Sequence, residues 1–414
     1  MNNPSVSEMV RVFGRIGVLS FGGPAAQISL MHRELVETRN WLKEKQFLGA
    51  LSFCMMLPGP EAMQLATYTG WRMRGILGGL IGGLLFVLPG AIVIALLGAL
   101  YIAYGDLPPV KAAFLGVQAA VVTIIVQALI RLSGKVLKDW PARLVAIAAF
   151  AALFTSVLPF PAVVLLAGII GFLRPSTPDA RDGPATIVPW RQTLRTVLIW
   201  GGLWAIPVFG LWAGSATFLT DVALFFSKLA VVTFGGAYAV LAYMVQAVVN
   251  DHQWLNTSQM MDALGLAETT PGPLILVTQF VGQLAGFQQG GAGLAIAAGL
   301  VTLWCTFTPC FLWIFACAPY VENLLHQPKL NGALTMISAA IVGVIANLGL
   351  WFGLHVIFAE HIQMSWGTLP VLSSFQTLAT GLVGLGAVLL FVFRTPIVVM
   401  LGLCAGVAVG IAMI

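Results

Sequence analysis

Four charged residues stand inside or beside apolar runs, where a charge is costly. Arg15 lies in FGRIGVLSFGG (13–23) and Lys228 in FSKLAVVTFGG (226–236). Glu61 follows a PGP triplet (58–60), and Glu268 precedes another (271–273). A cation in such a run can neutralise an anionic ligand, and a carboxylate there can carry a proton. The residues around them are backbone chemistry. Gly22, Gly23, Gly235 and Gly236 permit positive φ and let the backbone approach a ligand closely. Pro58, Pro60, Pro271 and Pro273 cannot continue a helix, and Pro24 suits the start of one. Each break therefore predicts a helix N-terminus, with free N–H groups and a positive dipole end that favour an anion. Gly59 and Gly272 sit at the centre of the two triplets, and Gln64, Thr67, Thr69, Thr269, Thr270, Thr278 and Gln279 can add neutral donors.

Each feature also has a plainer explanation. Glycines at a helix end can serve only close packing. Arg15 and Lys228 can snorkel to a nearby interface, as Arg11 is expected to. Glu61 can be a charge that caps a helix start. His32 and Arg33, in MHRELVETRNWLKEK (31–45), could gate anion entry or lie on a solvated face of an interfacial hairpin. Trp41 and Trp254 read as interface anchors.

The elements that must position these groups follow from composition. Of 414 residues, 59% are hydrophobic and 8% charged, with a mean hydropathy of +0.95. Soluble domains carry about 25% charged residues, so this chain cannot cover itself toward water. It reads as an all-α polytopic membrane protein, since helices satisfy their own backbone in lipid. Long apolar runs cover 76–104, 109–130, 141–157, 160–173, 193–213, 217–233, 290–318, 332–357, 371–393 and 396–414. The excess of basic residues lacks interleaved aromatics, so nucleic acid is not an expected partner. The five cysteines form no C-x-x-C pair, and no Walker-A, G-x-S-x-G or H-E-x-x-H pattern occurs. Neither metal, cofactor nor enzymatic activity is expected.

The chain repeats itself. At an offset of 213 residues, FGG falls on FGG, Trp41-Leu42 on Trp254-Leu255, and PGP on PGP. Four segments follow: a first repeat (1–173), a cytoplasmic linker (174–192), an orientation-inverting transmembrane helix (193–215) and a second repeat (216–414). Seventeen of the twenty Lys and Arg residues lie at or before Arg195, and the basic loops of the first half have uncharged or acidic counterparts in the second. Under the positive-inside rule, equivalent loops then face opposite sides. The expectation is two inverted-topology repeats, an N-terminus in the cytoplasm and an external C-terminus. Discontinuous helices at matching places in two halves point to a transporter site near the midplane.

The motifs SFGGPAAQISLMHRELVE, LPGPEAMQLATYTGWR and GGLLFVLPG, with TFGGAYAVL and ETTPGPL in the second half, resemble the chromate ion transporter family in its long, two-domain form. That resemblance implies a secondary transporter in the cell membrane that exports chromate and confers chromate resistance, with sulfate as a competing tetrahedral dianion. The expected binding residues are Arg15, Gly22, Gly23, Gly59, Gln64, Lys228, Gly235, Gly236, Thr269, Thr270 and Gly272, with Glu61 or Glu268 for coupling to an ion, expected to be a proton. A homo-oligomer is compatible with this reading. The rivals are a transporter of sulfate or another oxyanion, an anion channel of the same architecture, and a membrane-embedded reductase, which would need a thiol pair or a flavin or haem motif.

Overall fold

The computed structural model describes residues 4–174, 190–234, 237–321, 324, 327–364 and 367–413. Proline and glycine decide where its helices stop. α1 (Val6–Leu19) ends before Ser20, and α2 (Gly23–His32) begins after Gly22, whose φ is +85°. α2 passes into a π turn (Arg33–Thr38), and α3 (Glu44–Cys54) follows. The PGP triplet then separates α3 from α4 (Glu61–Tyr104). α5 (Pro108–Val136), α6 (Trp140–Phe154) and α7 (Phe160–Leu173) complete the first half.

After α8 (Trp190–Ala213), the same order returns: α9 (Thr217–Val232), α10 (Ala237–Gln246) with its π turn (Ala247–Asp251), and α11 (Thr257–Thr269). A 3-10 turn (Leu274–Leu276) leads into α12 (Val277–Cys317), and α13 (Pro328–Ile357), α14 (Thr377–Ala387) and α15 (Ile397–Ala412) close the chain. The expected linker lies outside the described residues except for Arg174 and 190–192, and the latter already belong to α8.

Two features depart from the expectation. The stretch after α13 is not only loop: β1 (His361–Met364) pairs antiparallel with β2 (Gly367–Pro370). Four-residue strands carry too little hydrophobic period to be seen against long helices. Trp254 is buried and stacked on His252 at 4.3 Å, so it is a packed side chain rather than an interface anchor.

α4 and α12 are each two helices in one run. Arg74 and Gly75 leave helical geometry, with Gly75 at φ +58°, as do Gly290 and Gly291, with Gly291 at φ +75°. A Cβ on Gly70 would lie 2.1 Å from the Gly78 carbonyl oxygen, and one on Gly82 would lie 2.3 Å from that of Ala66. Such contacts, running in opposite directions from the break, describe an antiparallel hairpin whose limbs touch through glycine. In α12, Gly282 would meet Thr302 and Gly286 would meet Leu294 in the same way. The first limb of α4, residues 61–73, spans about 20 Å at 1.5 Å per residue. That is short of the roughly 30 Å hydrocarbon core. α1, α2 and α3 are equally short.

The chain forms two compact units, and neither follows a sequence half. One comprises Met1–Ala99, Thr177–Val240 and Thr270–Pro328; the other comprises Leu100–Ser176, Leu241–Thr269 and Lys329–Ile414. In the first, α12 packs on α8 and α9. In the second, α5 packs on α15, α14 and α11. The second unit is closed by an exchange: Gly116 of α5 fits against the Cys404 carbonyl of α15, and Gly171 of α7 against the Gly332 carbonyl of α13. First-half helices meet second-half helices in both contacts.

Candidate functional site

The FGG and PGP breaks are joined crosswise inside the first unit. A PGP triplet has one N–H group, that of its glycine, because proline has none. The Gly59 N–H donates to the Thr233 carbonyl at 2.8 Å, and the Gly272 N–H donates to the Ser20 carbonyl at 2.8 Å. Each PGP thus binds the residue before the FGG of the opposite half. The side chains at those carbonyls also match: Ser20 Oγ donates to Ile16 O at 2.6 Å, and Thr233 Oγ1 to Leu229 O at 2.5 Å. This reciprocity is what a two-fold relation between the breaks requires. Gly59 and Gly272 hold φ of +124° and +85°, a region that other residues rarely adopt.

Buried amides brace the crossing. Gln27 Nε2 donates to the Gly272 carbonyl at 2.7 Å, and Gln64 Nε2 to that of Pro58 at 2.6 Å. The long limbs press in from behind: a Cβ on Gly90 would lie 2.2 Å from the Pro271 carbonyl oxygen, and one on Gly59 would lie 3.0 Å from Cys310 Sγ.

Two helix starts come together there. α2 begins at Gly22–Pro24 with no side-chain cap, and so does the turn that begins at Leu274. A Cβ on Gly23 would sit 3.9 Å from Leu274 Cδ1. Uncapped first-turn N–H groups at two neighbouring positive dipole ends form the kind of backbone surface that receives an oxyanion.

The expected binding residues are distributed as follows. Gly22, Gly23, Pro24, Pro271, Gly272 and Pro273 belong to the crossing just described, and Pro58, Gly59, Pro60 and Gln64 to its counterpart. Gly235 and Gly236 lie outside the described residues. Gly59 and Gly272 spend their N–H groups on the carbonyls of Thr233 and Ser20, between the halves. Gln64 likewise uses its N–H group on Pro58 and leaves its amide oxygen buried without a partner. Arg15 is not at the crossing's centre: its side chain is 58% exposed and pairs with the buried carboxylate of Glu34 at 3.7 Å, which Arg39 also binds. Lys228 is exposed on α9. His32 is held between Glu37 at 3.1 Å and Glu44 at 2.6 Å. Glu61 is half-buried in the first turn of α4. Thr270 belongs to the first unit; Glu268 and Thr269 belong to the second, where Thr269 Oγ1 donates back to Leu266 O at 3.0 Å.

The second unit holds an acid that sequence reasoning passed over. Asp262, on α11, is 7% exposed. Tyr101 donates its hydroxyl to Asp262 Oδ2 at 2.7 Å, and Gln118 donates its amide to Oδ1 at 2.7 Å. Among the described residues it forms no ion pair. Burial lifts its carboxyl to about 6, against the pull of the two hydrogen bonds. The available signal was an acid in the apolar run MMDALGLA; with no counterpart in the first half, where Gly49 stands, the repeat did not mark it.

Two cavities lie away from the breaks. One of about 330 Å³ in the second unit is lined by Tyr243, Asn347, Trp351, His355 and His361. Another of about 450 Å³ in the first unit is lined by Glu8, Arg39, Trp41 and Arg72.

The chromate transporter family profile matches residues 7–172 and 220–411. A probable chromate transport protein of Synechococcus elongatus is 32% identical over 352 residues, covering 83% of this chain and 85% of the relative. The chromate transport protein of Cupriavidus metallidurans is 28% identical over 404 residues, 95% and 94% of the two chains. That of Pseudomonas aeruginosa is 30% identical over 350 residues, 82% and 79%. No solved structure matches the chain. With a membrane-type fold, a doubled set of helix breaks and a family match over most of its length, this chain belongs to the chromate transporter family.

Proposed function

We propose that the protein is a secondary active transporter that exports chromate across the cell membrane and so confers chromate resistance. Sulfate, with the same charge and shape, competes. The observation that carries this reading is the crossing of the breaks, where two uncapped helix starts adjoin in a buried polar setting. A tetrahedral dianion has acceptors in every direction, and backbone N–H groups are fixed donors that need no reorganisation to meet it. Arg15 and Lys228, on helix faces leading to the breaks, draw the anion in. The two halves lie in the membrane as inverted repeats, with the N-terminus in the cytoplasm and the C-terminus outside, as the distribution of basic loops favours. Alternating access exposes the crossing first to one side of the membrane and then to the other. A buried carboxylate carries the coupling ion, a proton, with Glu61 and Glu268 as the acids nearest the PGP triplets in sequence.

The test is uptake into proteoliposomes. Labelled chromate and labelled sulfate are offered with pH and potential gradients imposed separately. Accumulation against a gradient, with sulfate competing, is the expected result. Flux that only follows the anion's own gradient would make the protein a channel, and no flux of either anion would end the oxyanion reading.

A further inference from the structure

Asp262 is buried, unpaired with a cation among the described residues, and held by two neutral donors. A buried carboxylate without a cation is costly when ionised and comfortable when protonated. Two hydrogen bonds from neutral groups reduce that cost without removing it, which leaves both protonation states within reach. Tyr101 gives the proton a route. It touches the buried carboxylate, yet stands three residues before the end of α4 and is only half-buried itself. Its ring is fixed edge-on against Phe114 at 5.2 Å.

The surroundings contain little that would override this. Against α11 pack α5 and α15. α5 brings Lys111 at its outer end, which is exposed and paired with Asp106 at 2.9 Å, and its other cations, Arg131 and Lys135, stand at the far end. From Gln118 to Arg131 is about 20 Å along the helix. α15 brings Cys404, which is buried. The end of α4 adds Tyr104, which is exposed, and α11 itself carries Glu268 six residues on. The contact between α11 and α5 is close: a Cβ on Gly265 would lie 2.6 Å from Val117 Cγ1. A change in hydrogen bonding at Asp262 is therefore felt where the two helices meet.

We infer that Asp262 is the proton-carrying group of this transporter, with Tyr101 and Gln118 as positioning residues that hold it and connect it to the outside. This rests on the reading of the chain as a coupled oxyanion transporter. It assigns the coupling step to neither Glu61 nor Glu268. Proton uptake converts the carboxylate to a carboxyl whose O–H turns to the Tyr101 oxygen, and release reverses this; no other bond changes.

Two measurements test it. The first is infrared difference spectroscopy of the purified full-length protein, which reads a buried carboxyl C=O band without any transport. The band is expected in wild type, to vanish on titration near pH 6, and to be absent in Asp262→Asn. The second is proteoliposome transport of chromate, read both as pH-driven accumulation and as exchange at equal pH. Asp262→Asn is expected to lose accumulation by about tenfold or more, as a coupling of ordinary size predicts, and to keep exchange. Tyr101→Phe is expected to move the midpoint of the band while retaining it. Full pH-driven accumulation in Asp262→Asn overturns the assignment, as does a sodium gradient that replaces the pH gradient in wild type. Equal loss of exchange and accumulation in both Asp262→Asn and Asp262→Glu, with the band unchanged in wild type across about pH 4 to 8, would make the residue structural. If wild type moves neither chromate nor sulfate, the transport reading fails while the band still decides whether Asp262 exchanges a proton.

Discussion

The Gly59 N–H and the Thr233 carbonyl lie 2.8 Å apart, although 174 residues separate them in the chain, and Gly272 and Ser20 repeat the contact from the other side. Neither bond belongs to a helix or a sheet. Together they tie the two halves at the points where the helices break.

Gly59→Ala and Gly272→Ala should both destabilise the protein. Each puts a Cβ on a backbone of positive φ, at a cost of about 1–2 kcal/mol. Gly59 is the worse case, because its Cβ would also lie 2.7 Å from Gln64 Nε2. Thermal unfolding of detergent-purified protein should rank Gly59→Ala below Gly272→Ala, and both below wild type. Gly14→Ala, inside α1 with nothing within 4 Å, serves as a control that should hold or raise the midpoint, since alanine is the better helix former.

Gly90→Ala should separate packing from backbone strain. Its φ is ordinary for a helix, but its Cβ would reach within 2.2 Å of the Pro271 carbonyl oxygen. Overpacking of this kind costs about 1–3 kcal/mol. The long limb of α4 is expected to shift away from the second PGP, with loss of chromate transport beyond the loss of folded protein. Transport at wild-type rate per folded molecule would show that this contact is dispensable.

Arg15→Ala and Lys228→Ala should weaken oxyanion binding, and the two are expected to add, being on separate helices. Arg15 also neutralises Glu34. In the chain that keeps Arg15, Glu34→Gln should therefore leave that cation freer and strengthen binding in low salt, though at some loss of stability through Arg39. Equal affinity for chromate in wild type and the double variant would remove both cations from the site.

Asp262 gives a pH dependence of stability whose sign follows from burial. Its carboxyl rests near 6 in the folded chain, above its ordinary 3.8. Between these values the folded state binds the proton that the unfolded state has released. Stability is thus greatest below about pH 4 and falls as pH rises to about 6, by about 3 kcal/mol from this group alone. Asp262→Asn should flatten that part of the curve, and an unchanged slope would contradict the burial argument.

Much of this was legible in the sequence, and the reasons differ by feature. The helix breaks were readable because proline and glycine act locally, so FGG and PGP fixed where α1, α3, α9 and α11 end. The register between the halves was readable because it recurred at 213 residues. What could not be read was which break meets which. The crossing of Gly59 to Thr233 depends on the path of the chain through space, and nothing local to PGP names its partner. The break at Gly75 was legible in part, since apolar runs begin at 76 and at 290, but that the limbs on either side fold back on each other was not. Asp262 was hidden by the strength of the repeat itself, which directed attention to paired motifs and away from a residue present once.

Because each compact unit draws on both halves, neither can close while the ribosome has made only the first. The first unit waits for residues up to Pro328, and the second for those from Lys329 on. α5 and α7 must therefore rest in the bilayer with Gly116 and Gly171 uncovered until α15 and α13 arrive. Long-range closure of this kind is slow and leaves intermediates exposed. The order of synthesis, and not only the final contacts, is a constraint on which sequences of this family can be made.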